Sequence, residues 1–323
     1  MRTGGGFIFS RLHSFGVGNP VDGEFPLAKV IIGPDGNLYG TTSFGGQNEG
    51  GSAYSLRPPP TACLSAMCDW NEPLLYLFNG SDEGQPVSPL VFDQAGNLYG
   101  TTTIGNTVYQ LTRSGSGWTE KILYHLSGSP YAGVILDRAG NLYGTTLTGG
   151  AYNYGTVYQL TPSGSGWTEN VLYSFTGGAD GAKPYAGLIF DQAGNLYGGT
   201  SAGGASNAGT VFEVAPSGGS WTESVLYAFT GTSGGGPAAT LGMDSAGSLY
   251  GTTYGDGLYE KGNVFKLTPS GSAWTYTSLY DFTGGSDGCG PVSDVVFDVN
   301  GHLYGTASGC GGDGYGVVWE ITP

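Results

Sequence analysis

The sequence predicts an all-β fold, a six-bladed β-propeller with four antiparallel strands per blade, and three observations carry that expectation. A phrase ending in Leu-Tyr-Gly returns six times, at Tyr39, Tyr99, Tyr143, Tyr197, Tyr250 and Tyr304, with spacings of 60, 44, 54, 53 and 54 residues. Repetition at that period marks an array of one small unit that cannot bury its own apolar face. No segment shows a convincing helical period. Finally, the two ends of the chain read as complementary parts of one unit.

Within a unit the strands follow in order, most plainly in the fourth. An apolar run, Pro184 to Asp191, reads as the first strand. Gln192-Ala-Gly-Asn195 is a tight turn, since Gly and Asn tolerate positive φ. Leu196 to Thr200 gives the second strand, and a glycine-rich loop leads to the alternating run Gly209–Val214 as the third. Pro216-Ser-Gly-Gly turns the chain into the fourth strand, Trp221 to Phe229. The predicted blades span about residues 25–79, 86–127, 130–176, 184–230, 237–283 and 290–323, forming a single domain over 1–323. The last unit stops after its third strand, and residues 5–15 match the fourth-strand pattern, with Phe7 where Trp70, Trp118, Trp167, Trp221 and Trp274 stand elsewhere. Closure of the last blade by this N-terminal strand removes the open edges of an array.

Composition narrows the partners. Glycine is 63 of 323 residues without a collagen period, so it reads as turn residue between β-type runs. Ten Lys plus Arg stand against 25 Asp plus Glu, a formal charge of −15, which offers no basic surface for nucleic acid and disfavours an anionic membrane. No apolar run is long enough to span a bilayer and no signal-type h-region is present, so any export signal lies outside this sequence or has been removed. The four cysteines form two local pairs, Cys63–Cys68 and Cys289–Cys310, without a zinc spacing. Two disulfides and an oxidising compartment are expected.

Strand order sorts the loops. The turns between first and second strands are nearly uniform: 94–97, 138–141, 192–195 and 245–248. The second-to-third loops and the crossovers between units vary and share the other face, where a partner would bind. Tyrosines that lie off the repeat concentrate there, Tyr152, Tyr154, Tyr254, Tyr259 and Tyr315, together with Phe44. Aromatic rings beside polar loop groups suit stacking on sugars or peptides.

The crossovers carry Asp-Gly ahead of a recurring proline at Asp22, Asp180 and Asp287, with Asp82 offset. Such carboxylates converging on a central rim are weak candidates for Ca²⁺; Asp-Gly is also ordinary turn chemistry, and the third and fifth crossovers lack the Asp. Lys29 and Asp294 occupy the same repeat position in the first and last units and are expected to pair. Asp93, Asp137, Asp191, Asp244 and Asp298 recur once per blade and are expected to serve the turns that follow them. His13, His125 and His302 occupy unrelated positions, which speaks against a shared metal or a catalytic pair. No catalytic elbow, phosphate loop or metalloprotease motif is present.

The full phrase, Phe-Asp-x-Ala-Gly-Asn-Leu-Tyr-Gly-Thr-Thr followed by Gly-Thr-Val-Tyr-Gln-Leu-Thr-Pro-Ser-Gly-Ser-Gly-Trp-Thr-Glu, resembles the GloVer tandem repeats of bacterial extracellular proteins. Tyr197, Gly198 and Thr200 belong to it, as do Val157, Tyr158, Leu160 and Pro162. The resemblance implies export and, in many relatives, a C-terminal sorting or anchoring segment; this chain ends at Pro323 within a strand, ahead of any such segment. It supplies no catalytic residues. The expectation is a secreted, non-catalytic module binding a glycan or an extracellular protein on the variable face. The alternatives are a carbohydrate-active hydrolase or lyase using Asp22, Asp180, Asp287 or Asp294, and an architectural surface subunit.

Overall fold

A computed structural model describes residues 12–16, 23–58, 70–71, 73–81, 83–231 and 235–323. It is a six-bladed β-propeller: six four-stranded antiparallel sheets follow one another along the chain, and the described residues contain no α-helix. By contact the chain divides into two compact units, residues 1–125 with the first two sheets and 126–323 with the other four. In the fourth sheet the strands are Ile189–Phe190, Leu196–Thr200, Thr210–Ser217 and Ser220–Ala228. The first, second, third and fifth sheets repeat that order.

The Leu-Tyr-Gly phrase has a mechanical basis. Its Leu enters the core, as with Leu98, Leu142 and Leu196, each wholly buried. Its Gly lies directly opposite an aromatic residue of the third strand, Gly40 with Tyr54, Gly100 with Tyr109, Gly144 with Tyr158 and Gly198 with Phe212. That ring lies flat over the glycine: a Cβ on Gly144 would stand 2.5 Å from the Tyr158 oxygen, and one on Gly198 2.6 Å from the Phe212 ring. Any side chain there would expel the largest core residue of the blade. The Tyr of the phrase reaches back to the preceding turn. Asp93 accepts hydrogen bonds from the amides of Ala95 (2.9 Å) and Asn97 (2.8 Å), from Asn97 Nδ2 (2.8 Å) and from the Tyr99 hydroxyl (3.0 Å). Asp137 and Asp191 repeat all four contacts. The recurring aspartates are turn clamps, as expected.

The first strands are shorter than the sequence implies. In the first five sheets each forms only two ladder pairs with its own sheet, as Ile189–Phe190 does, rather than running from Pro184 to Asp191. The reason is where the backbone acceptors go. Thr145 of the third sheet donates its hydroxyl to the carbonyl of Ala186 (3.0 Å), Thr41 to that of Ser88 (3.2 Å) and Thr252 to that of Ser293 (3.2 Å). At these three joints the carbonyl upstream of the short first strand is thus taken by the preceding sheet.

A second joint is aromatic. Phe78, at the end of one fourth strand, packs on Tyr109 of the next sheet at 4.8 Å, and Phe175 on Phe212 and Phe229 on Phe265 follow at 5.1 Å. Phe15 makes this contact with Tyr54 of the first sheet, also at 4.8 Å, and the Leu12 carbonyl accepts from the Trp70 amide. Phe15 thus takes the place that a fourth-strand Phe takes elsewhere. The remainder of the expected closing strand, residues 5–11, lies outside the described residues, as does the Cys63–Cys68 pair.

In the last sheet, Cys289–Pro291 and Val296–Phe297 take successive stretches of one edge of Leu303–Gly309, and Val317–Ile321 takes the other. The Cys289–Cys310 disulfide forms as expected, with Cα atoms 5.3 Å apart, and staples the crossover to the loop beyond the second strand.

Candidate functional site

The variable end of the second unit is built around one crossover turn, present twice. Thr176-Gly-Gly-Ala-Asp180-Gly181 and Thr283-Gly-Gly-Ser-Asp287-Gly288 close with the same backbone bonds, Gly177 N to Gly181 O and Gly284 N to Gly288 O, both 3.2 Å. Gly181 holds φ at 103° and sits over the hydroxyls of Thr200 and Thr210, which bond each other at 2.9 Å; a Cβ there would lie 2.4 Å from Thr200 Oγ1. Only glycine fits.

The carboxylates bind the turn itself. Asp180 accepts from the Thr176 amide (2.7 Å), the Thr176 hydroxyl (2.6 Å) and the Tyr173 hydroxyl (2.9 Å) of the fourth strand. Asp287 accepts from the Thr283 amide (2.8 Å), the Thr283 hydroxyl and the Tyr280 hydroxyl (3.0 Å). Desolvation opposes ionisation of Asp287, but these donors outweigh it and hold its pKa down at about 2. Each carboxylate is tied to its own sheet's fourth strand rather than to a common rim. Among the described residues no three His, Cys, Asp or Glu side chains group closely enough to hold a metal ion. Asp22 and Asp82 lie outside the described residues. Asp294 accepts from the Thr240 amide at 2.9 Å in the second unit, while Lys29 belongs to the first.

Loop tyrosines stand beside these turns. Tyr152 and Tyr259 are exposed and close enough to Tyr173 and Tyr280 respectively to help raise those hydroxyls' pKa values, after burial, the aspartate contacts and, at Tyr173, the charge of Glu223. Loop tyrosine, strand tyrosine and turn aspartate therefore form the same group twice. Tyr154 lies over Gly177 and Tyr254 over Gly290, each ring seated where a Cβ would be. Tyr315 is the most open of the five, 91% exposed. The described histidines have different neighbours: His125 is near the Gly105 carbonyl, His302 near Asp298 and Glu320, and His13 against Phe15.

Two features escaped the sequence reading. Glu223 occupies the repeat slot of Glu120 and Glu169, so nothing in its spacing singles it out. Burial first, then the charge of Asp180, raise its pKa to about 7, and its Oε1 is enclosed with no hydrogen-bond partner among the described residues. The second feature is a cleft of about 390 Å³ in the first unit, at the opposite strand ends, walled by Tyr39, Phe92 and Trp118 and edged by Asp35, Asn97 and Arg113. A signal for it was present: Arg113 stands where the other repeats carry Pro162, Pro216 and Pro269, and Asp35 where they carry Ala95, Ala139, Ala193 and Ala246.

These features define a repeat-built propeller whose two crossover turns and loop tyrosines occupy one end. The chain belongs to the Gloeobacter/Verrucomicrobia repeat family, whose model matches residues 129–323. Among curated proteins, none matches the sequence. Solved structures share the fold. Virginiamycin B lyase from Staphylococcus aureus is 13% identical with a TM-score of 0.57, covering 95% of this chain and 86% of that one. A Thermus thermophilus protein assigned as an oxidoreductase (glucose dehydrogenase) is 17% identical at a TM-score of 0.52, with 94% and 98% covered. A chain of the nidogen/laminin complex is 14% identical at 0.51, with 89% and 93% covered. At these identities the likeness is one of fold.

Proposed function

We propose that the protein is a secreted, non-catalytic binding module that takes a glycan or an extracellular protein partner on its variable end. The observation that carries this reading is the group formed twice there: an exposed loop tyrosine, Tyr152 or Tyr259, beside a carboxylate turn, Asp180 or Asp287. An open ring supplies a stacking face and the neighbouring polar turn supplies hydrogen-bonding oxygens, the combination that sugar rings and peptide backbones both use. Repetition of a shallow group favours avidity over a single deep pocket. The Cys289–Cys310 disulfide supports an oxidising, extracellular setting. One neighbour in fold, the nidogen/laminin chain, comes from a protein–protein complex.

A second reading rests on Glu223 and Asp180. One carboxyl whose pKa burial lifts to about 7, near one whose pKa hydrogen bonds hold below the ordinary carboxylate value, is the division that glycosidic acid–base chemistry uses. Incubation with a panel of polysaccharides, scoring both retention and newly formed reducing ends, separates the two. Retention without new ends, lost in Tyr152→Ala and Tyr259→Ala, supports the binding module. New ends abolished by Glu223→Gln would replace it with the enzyme. Neither signal, together with self-association on gel filtration, would point to an architectural role.

A further inference from the structure

The cleft of the first unit differs from the rest of the propeller in a way that the repeat itself exposes. Its aromatic wall is the standard inter-sheet contact: Tyr39 meets Phe92 edge-on at 5.0 Å, as Tyr143 meets Phe190 at 5.1 Å in the second unit. The polar edge is not standard. Arg113 pairs across the ladder with Trp118, where Pro162 pairs with Trp167 and Pro216 with Trp221. Its guanidinium lies 5.3 Å from the Trp118 ring centroid and 3.7 Å from Asp35 Oδ2. Asp35 is displaced two positions along its turn relative to Asp93, yet it still accepts from the Asn37 amide, Asn37 Nδ2 and the Tyr39 hydroxyl. The displacement preserves the turn and moves the carboxylate to the cleft.

Stability does not account for these two departures meeting in one place. The pair is long for a hydrogen bond, its side chains are 62% and 36% exposed, and surface ion pairs of that kind contribute little. What the departures create is a concavity with an aromatic floor and a polar edge of both signs. The guanidinium offers a fork of five N–H donors. Asn97, its side-chain nitrogen committed to Asp93, adds an acceptor. The volume falls in the range of small-molecule pockets. Arg113 and Asp35 cancel in charge, within a chain carrying −15 overall, so the cleft does not attract anions at long range.

We infer that the Tyr39–Trp118–Arg113–Asp35 cleft is a second ligand site, and that it takes a single neutral sugar ring. The apolar C–H face of a pyranose would lie on the aromatic wall, and its vicinal hydroxyls would bridge Arg113 and Asp35. This site is independent of the loop tyrosines, being built from other loops in the other unit.

The test is NMR titration of the full chain with glucose, galactose, mannose and N-acetylglucosamine, and with glucuronate as the acidic counterpart. Shifts centred on the Trp118 indole and the Asn97 amides are expected with at least one neutral sugar. Arg113→Pro, which restores the residue used by the other repeats and so should fold, is expected to weaken that binding by ~10-fold or more. Unperturbed signals of the buried Tyr54 and Phe78 in the first unit of the variant verify its folding. Absence of shifts at Trp118 with every neutral sugar, a response to glucuronate alone, or unchanged affinity in Arg113→Pro would each overturn the assignment. Shifts confined to Tyr152 and Tyr259 would overturn it while leaving the variable-end reading intact.

Discussion

The Tyr99 hydroxyl donates to Asp93 Oδ2 at 3.0 Å, and this bond ties the second strand of a blade to the turn that introduces it. The same residue holds Asn97 at three points around the turn: its carboxylate accepts from the Asn97 amide and side-chain nitrogens, and its own amide donates a backbone hydrogen bond to the Asn97 carbonyl. Burial first, then the charge of Asp93, push the Tyr99 pKa up to about 12. Replacing Asp93 by Ala leaves the Asn97 and Tyr99 donors without their acceptor at a half-exposed site. The expected loss is about 1–2 kcal/mol of stability, read as a lower denaturant midpoint at unchanged slope.

Gly181 and Gly194 separate backbone strain from collision. Both hold positive φ, 103° and 90°, but only Gly181 has neighbours where a side chain would go. Gly194→Ala is expected to cost about 1 kcal/mol, from conformation alone. Gly181→Ala must also part the Thr200–Thr210 hydrogen bond, for roughly 2–4 kcal/mol in total. Thermal unfolding of the two variants measures the difference, and equal losses would show that the crossover yields freely.

Glu223 makes stability fall as pH rises. Its folded pKa, about 7, lies above the ordinary 4.5, so the folded state binds the proton more tightly than the unfolded chain. Its contribution is complete below pH 4.5 and is lost as pH climbs through 7. Glu223→Gln is expected to flatten the stability profile between those limits, which urea titrations at about pH 4.5, 6 and 8 would register. Asp287 has the opposite sign. Its pKa of about 2 lies below the ordinary 3.8, so its contribution is full above that value and disappears as pH falls through 2.

The disulfide closes a loop of 21 residues in the last sheet. Loop-closure entropy assigns it roughly 3 kcal/mol. Cys289→Ser with Cys310→Ser is expected to lower the stability to unfolding by that amount, and reductant should bring the wild-type protein to the same midpoint. A reductant-insensitive midpoint would contradict the staple's role.

Much of the fold was legible because the repeat prints each structural role several times. Leu-Tyr-Gly disclosed the second strand, and the recurring aspartates disclosed the turns. What stayed hidden was any partner chosen by the main chain. The residues from Pro184 to Leu188 have strand chemistry, and no residue type reveals that the Ala186 carbonyl bonds Thr145 of the preceding sheet. At the candidate site the tyrosines were readable as departures from the repeat, whereas Glu223 was not, since it conforms to it. Asp180 and Asp287 were readable as turn residues, but the third donor to each comes from Tyr173 or Tyr280, seven residues away on a strand.

The threonine joints bear on how such a chain can change over generations. Thr145 grips a carbonyl oxygen, and every amino acid carries one. Position 186 can therefore be rewritten without releasing the grip, provided the new side chain fits its space. Adjacent copies of the repeat can drift apart in composition while keeping their seam, and novelty such as Arg113 can arise in one copy without asking its neighbours to follow.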